Sequence, residues 1–237
     1  MNRPTDEHAP HTRTRAVRPH TAGVALQLYL ASTSPARLML LRQSGIEPVI
    51  VPSDVDEDAA VNAASVNGPL SPEHTVQLLA RAKAESVAAE HPEFDGLILG
   101  GDSVFVVDGV IYGKPHTPEA ARERWLAQRG STGRLYSGHW LIEQRPGAEP
   151  RAVGALAHAD VTFADDITDS ELDAYIATGE PLFVAGAFTI DSLGAAFIDR
   201  ISGDPSTVVG LSLPTLRRLV RELGHDWPSL WNRNGAL

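Results

Sequence analysis

The sequence predicts an α/β fold in which a mixed sheet is flanked by helices. Three observations carry this expectation. Segments of strand period and segments of helix period interleave along the chain, the pattern of α/β proteins. An Asp108-Gly109 turn and two apolar runs flanking residues 144–150 supply hairpins, so the sheet is expected to be mixed rather than purely parallel. No internal repeat interrupts the pattern, and 237 residues at 43% hydrophobic content suffice for one sizeable core in two lobes.

The elements follow in order. Residues 27–31 form a short apolar run and are expected to be a strand. Ser34 is a good N-cap and Pro35 a good first helical residue, so a helix should run to about residue 44 and stop at Gly45. Residues 48–52 read as a second strand. The acidic stretch 54–58 then leads into an expected loop rich in Ala, Asn and Gly. Ser71-Pro72 opens a long helix to about residue 90, and residues 97–107 form a long apolar strand that turns into a short one at 110–112. A helix over 118–129, strands near 135–143 and 152–163, and a helix over 169–178 come next. Alternating apolar residues at 188–201 suggest further strands, and 214–223 closes the chain as a helix with its apolar stripe at Leu216, Leu219, Val220 and Leu223.

Charge and composition exclude several classes. With no cysteine, disulfides and thiolate metal sites are ruled out, which permits an intracellular setting. No apolar run approaches the ~18 residues of a membrane span, and the first residues lack the apolar segment of a signal peptide. Residues 1–24 are rich in Pro, His, Thr and Arg and are expected to be a disordered tail ahead of a single domain at 25–237. The tail holds four Arg against Asp6 and Glu7. The remainder therefore has 16 basic and 28 acidic residues, a net charge of −12. Such a surface opposes nucleic-acid binding, which needs clustered Lys and Arg. It does not oppose a small anion that arrives with a metal ion.

Five places break local rules. In Ser32-Thr33-Ser34-Pro35-Ala36-Arg37 a strand delivers the chain to a helix N-terminus, whose N–H groups and dipole favour a phosphate. Arg37 lies in that first turn, where the dipole disfavours a cation unless an anion is bound; the plainer reading is a capped helix with a solvated Arg. Lys83 lies on the stripe of Val76, Leu79, Ala80 and Val87, so it needs an anionic partner or a route to water. Asp102 interrupts the strand LILGGDSVFVV. Ionised and unpaired there, it would cost several kcal/mol, so it should be paired, metal-bound or at a cleft edge. Gly100 and Gly101 beside it permit close approach of a ligand or a backbone. Gly113-Lys114-Pro115 is no Walker motif, because the spacing and the following Ser or Thr are both missing, yet the lysine is free to meet a phosphate. Asp56-Glu57-Asp58 is either a solvated acidic loop or, within reach of Asp102, part of a hard-metal site. The nine histidines show no metal-ligand spacing, and Gly210-Leu211-Ser212-Leu213-Pro214 lacks the second glycine of a nucleophile elbow.

Taken in order, LYLASTSPARLMLLRQSG, SDVDE, LLARAKAESVA, GGDSVFVVDGVIYGKP, YSGHWLIE and the segment from ELDAYIATGEP to LRRLVRELG resemble the Maf family of nucleotide pyrophosphatases. The resemblance spans about residues 28–224. It implies a two-lobed fold like that of inosine-triphosphate pyrophosphatases, with the nucleoside triphosphate in the cleft between lobes. It also implies a divalent cation (Mg²⁺ or Mn²⁺), a cytoplasmic setting and, often, a homodimer. Residue by residue, Asp102 matches the proton acceptor, Ser32 and Arg37 the first phosphate-binding motif, Lys83 and Lys114 two cleft lysines, and Glu57 the acidic residue on the metal side. One branch, acting on dTTP and UTP, carries Arg, Thr and Gln at three specificity positions; another, acting on 7-methyl-GTP, carries an aromatic residue, Gln and Glu. Here Ala36, Ser103 and Asp191 stand at those positions and match neither.

The expected chemistry is metal-assisted attack of water on the α-phosphorus, giving monophosphate and pyrophosphate. Asp102 would accept the proton or hold the metal, and Arg37, Lys83, Lys114 and the helix N-terminus would offset charge on the leaving pyrophosphate. Two rivals are a non-catalytic cell-division regulator, a role linked to the family name, and an inactive nucleotide-binding protein. The −12 charge argues against nucleic-acid binding by the former, and the intact Asp102, Lys114 and Arg37 set against the latter.

Overall fold

The structure, a computed structural model, describes residues 25–233. The segment 1–24, read from sequence as a tail, lies outside the described residues. The chain alternates strand and helix as follows: β1 (Leu28–Ala31), α1 (Pro35–Gln43), β2 (Val49–Ile50), α2 (Glu57–Ala64), α3 (Pro72–Glu90), β3 (Gly96–Val107), β4 (Val110–Tyr112), α4 (Pro118–Gln128), β5 (Thr132–Gln144), β6 (Arg151–Phe163), α5 (Asp169–Ala177), β7 (Ile198–Gly203), α6 (Pro205–Val209) and α7 (Leu213–Glu222). No helix among the described residues is long and apolar enough to cross a membrane.

One mixed sheet orders its strands β2-β1-β3-β5-β6-β7, with β4 hydrogen-bonded to β3. β1 runs parallel to β2 and β3, and the remaining pairings are antiparallel. The long strand β3 is paired with β5 along almost its whole length, from Gly96 to Val106. Its other edge is divided. Leu97–Gly100 pair with β1, and Phe105–Val107 pair with β4. Residues 101–104 lie in the gap between the two, and Asp102 sits in that gap. The divided edge is what opens a cleft in the middle of the sheet.

Apolar clusters form at both ends of the long strands. One gathers Phe105, Trp125, Leu135, Phe163, Leu172 and Phe188 around the end of β3 that meets β4. Another gathers Leu28, Leu30, Leu41, Leu97, Leu99, Leu141 and Leu219 around the end that meets β1. The alternation of β3 divides its faces: Leu97 and Leu99 enter this second cluster, whereas Ile98 packs with Ala84 and Val87 of α3 on the opposite face. Gly100 lies on the α3 face, where a Cβ would stand 2.0 Å from the Ala80 carbonyl oxygen. Only glycine admits the helix this closely.

Two local expectations are corrected, and one element is added. The stretch after the acidic run is the helix α2, not a loop. Asp56 caps it by accepting from Ala59 N–H at 2.9 Å, Glu57 and Asp58 complement its dipole, and four alanines carry it. No apolar stripe announces it, because none of its residues is buried. Strands were expected over 188–201, but a ladder begins only at Ile198. Upstream, Gly186 and Ala187 adopt φ of 75° and 60°, and residues 193–197 form a 3₁₀ turn. The short helix α6 was not anticipated. Asp204 caps it through Ser206 N–H, and Gly210, at φ 115°, ends it.

Candidate active site

Asp102 and Ser103 are consecutive in β3, so their side chains leave opposite faces of the strand. Asp102 points toward α3. There Lys83 Nζ donates to Asp102 Oδ1 at 2.8 Å and lies 2.8 Å from Glu57 Oε1. Lys83 belongs to the buried stripe of α3, and the close seating of α3 over Gly100 brings its ammonium to Asp102. Lys83 is therefore paired, and it does not snorkel to water. Glu57 reaches the same ammonium from the first turn of α2, with its own side chain half exposed.

Ser103 points to the other face, toward Arg37. The guanidinium is buried rather than solvated, and its hydrogen bonds are specific. Nε donates to the Gly210 carbonyl at 2.8 Å, Nη1 to Ser32 Oγ at 3.1 Å and Nη2 to Ser103 Oγ at 3.1 Å. Arg37 passes directly over Gly101, where a Cβ would lie 3.2 Å from Nε. Ser34 caps α1 by accepting from Arg37 N–H, so the same residue is fixed through its backbone.

The charges act on one another. Burial raises the Asp102 carboxyl above its ordinary value, the nearby Lys83 and Arg37 pull it back, and Glu57 adds to the rise. Burial lowers the Arg37 guanidinium, against the attraction of Asp102 and Glu57. Asp102 is thus a carboxylate of increased basicity in contact with a cation.

Ser32, Ala36, Arg37, Glu57, Lys83, Asp102, Ser103, Lys114 and Asp191 all line one cavity of about 770 Å³. That volume falls within the ~300–1,000 Å³ typical of small-molecule sites. Lys114 is exposed on the loop after β4. The Gly113 carbonyl in that loop accepts from Arg124 and from Gly186 N–H, which ties the lysine to the opposite wall. That wall is mostly apolar, with Phe183, Val184, Phe188 and Ile190, and Asp191 stands exposed at its end.

Sequence reasoning missed two groups. Gly210 and Ser137 buttress the Arg37 site: Ser103 Oγ lies 3.2 Å from Ser137 Oγ, and both hydroxyls lie within 3.3 Å of the Gly210 carbonyl. His139 is buried beside them, and its Nε2 accepts from Ser212 N–H at 2.9 Å. Burial and the Arg37 charge lower its pKa to about 4, so it is a neutral structural ring. No sequence signal marked this corner, because its key group is the Gly210 backbone carbonyl.

The fold and the cleft define an α/β protein equipped for a phosphate-bearing ligand. Three cationic side chains and the first turn of a helix surround the cavity, and two carboxylates converge on one of those cations. The chain belongs to the Maf family, for the family model described as Maf-like protein matches residues 27–223. It is 68% identical over 214 residues to a "Nucleoside triphosphate pyrophosphatase" of Leifsonia xyli subsp. xyli, covering 89% of this chain and 99% of that one. A protein of the same description from Corynebacterium efficiens is 48% identical, covering 88% of this chain and 100% of the relative. Among solved structures, the Staphylococcus aureus Ham1 protein overlaps 59% of this chain and 72% of its own at 15% identity, with a TM-score of 0.34.

Proposed function

We propose that this chain is a nucleoside triphosphate pyrophosphatase, cleaving between the α and β phosphates to release monophosphate and pyrophosphate. The observation that carries the reading is the contact of Asp102 with Lys83 at the unpaired edge of β3, inside a cavity of nucleotide size. Family membership and the descriptions of the relatives agree with it.

The chain's own residues have separable tasks in this reading. Asp102, made more basic by burial, accepts the proton of the attacking water. Arg37 presents a rigid fork to the phosphates, since Ser32, Ser103 and Gly210 occupy three of its five N–H groups and leave two. Lys83 and the exposed Lys114 supply further positive charge, and the first turn of α1 directs its dipole at the same place. Together they stabilise charge on the departing pyrophosphate.

A divalent cation belongs to this reading, and the donor set supports it. Among the described residues no three His, Cys, Asp or Glu side chains converge as a complete metal cage. Magnesium, however, commonly takes one or two carboxylates and completes its shell with water and substrate phosphate oxygens. Glu57 and Asp102 already converge on a cation, the Lys83 ammonium, and they are the residues that would hold the metal. When bound, such an ion neutralises phosphate charge and polarises the scissile linkage. A cytoplasmic homodimer completes the proposal, on the strength of the family resemblance alone.

The test is product identity with a panel of nucleoside triphosphates, with and without EDTA. Monophosphate plus pyrophosphate, lost on chelation and regained with Mg²⁺ or Mn²⁺, is expected. Diphosphate plus orthophosphate as primary products would overturn the reading.

A further inference from the structure

The apolar wall of the cleft is formed by a segment with no ladder of its own. Residues 189–194 belong to no strand and to no α-helix, although Thr189, Ile190 and Asp191 line the cavity. Hydrogen bonds to a single carboxylate hold them. Glu180 Oε1 accepts from Thr189 Oγ1 at 2.5 Å, Tyr175 Oη at 3.0 Å and Gly194 N–H at 3.1 Å. Glu180 Oε2 accepts from Ser192 Oγ at 2.7 Å and Leu193 N–H at 3.2 Å. Burial works to raise this carboxyl, but the donors from Thr189, Ser192, Gly194 and Tyr175 outweigh it and hold it at about 2. The carboxylate is therefore ionised at every working pH. Four of its five donors lie in the wall segment, on both sides of Asp191.

We propose that Glu180 is a positioning residue for nucleoside recognition: its carboxylate clasps the 189–194 segment from behind, so that Ile190 and Asp191 face the nucleoside half of the substrate. Glu180 does not itself line the cavity. Its influence on the ligand passes through the segment it holds. Apart from Lys114, whose loop is joined to Gly186 and not to Glu180, the phosphate half of the cleft is built from α1, α2, α3 and β3, and no hydrogen bond links it to Glu180, so the two halves are separable. A clasp built on one side chain follows from the local sequence. Gly186 and Ala187, both at positive φ, keep the chain out of strand geometry, and backbone N–H groups without a ladder need another acceptor.

The inference rests on the proposed function only in assigning phosphates and nucleoside to their halves, and the experiment separates the two. Wild-type turnover of nucleoside triphosphates tests the function. The clasp is tested by calorimetric binding in magnesium buffer of three probes: α,β-methylene-GTP, α,β-methylene-dTTP and inorganic triphosphate, which has no nucleoside. Glu180→Gln keeps the size but turns an acceptor toward donors into an amide. It is expected to weaken the tighter-binding of the two nucleotide analogues about tenfold while leaving inorganic triphosphate within about twofold of wild type. Ser192→Ala removes one donor and spares the carboxylate; it should act in the same direction by about threefold, and it decides the matter if Glu180→Gln does not fold. Equal weakening of nucleotide and inorganic triphosphate, or no change in either, would overturn the proposal.

Discussion

Lys83 holds Asp102 at 2.8 Å and, with the same ammonium, Glu57 at 2.8 Å. One cation thus sets the basicity of the candidate proton acceptor against a second carboxylate. Asp102 must be ionised to accept a proton, and burial raises its carboxyl against the pull of Lys83 and Arg37, so kcat/KM should fall on acidification. Lys83→Met removes a charge that favours the ionised form and should move this acid limb to higher pH. At saturating Mg²⁺, Glu57→Gln removes a like charge and should move it lower. The pH dependence of kcat/KM in the three proteins checks both signs; a limb that moves in the same direction in both variants would contradict the arrangement.

Arg37 is fixed by three hydrogen bonds that require the planar guanidinium. Arg37→Lys keeps the charge but loses the fork, and should reduce kcat/KM by roughly tenfold or more. It also removes one donor from the Gly210 carbonyl, which still accepts from Ser137, at a cost of about 0.5–1.5 kcal/mol in stability. Steady-state kinetics and denaturant unfolding on the same preparation read the two effects.

Gly100 admits α3 against the sheet. Gly100→Ala would drive a methyl into the Ala80 carbonyl, at 2.0 Å, and Ala84 N, at 2.9 Å. The helix must shift, with a loss of about 1–3 kcal/mol. Because Lys83 rides on that helix, kcat/KM should fall in a protein that still folds. Thermal unfolding paired with kinetics checks this. Full activity would mean that the helix position does not govern the site.

Some of this was legible in the sequence because charge was set against pattern. Lys83 stands on an apolar stripe and Asp102 within an apolar strand, and each violates a rule that one segment suffices to state. The glycines beside Asp102 gave the same signal for close packing. Glu57 was ambiguous, because an acidic run before a polar segment looks the same in a loop and at a helix start. Gly210 was illegible: its function is a carbonyl offered to Arg37 across 173 residues of chain, and no side chain marks it. Glu180 was illegible for a related reason, since four of its five donors lie 9–14 residues away in a segment whose alternation imitates a strand.

Asp191 stands at the end of the apolar wall, exposed, and forms no ion pair among the described residues. A carboxylate only accepts hydrogen bonds. It matches the adjacent N1–H and N2–H₂ of guanine and gains further from the positive ring of 7-methylguanine, whereas the carbonyls of uracil and thymine would be repelled. The half-buried Ala36 leaves room for a purine. Higher kcat/KM for GTP or 7-methyl-GTP than for dTTP is expected, narrowing in Asp191→Gln. A pyrimidine preference in the wild type, or an unchanged ratio in the variant, would refute this.

The central claim is that Asp102 does the chemistry at the unpaired edge of β3. Asp102→Asn preserves shape and removes the charge. The measurement is kcat for pyrophosphate release from the best nucleoside triphosphate, on a variant whose circular dichroism and unfolding midpoint show it folded. A loss of about 10²-fold or more is predicted for removal of a general base. Turnover close to the wild-type rate in the folded variant would contradict the account.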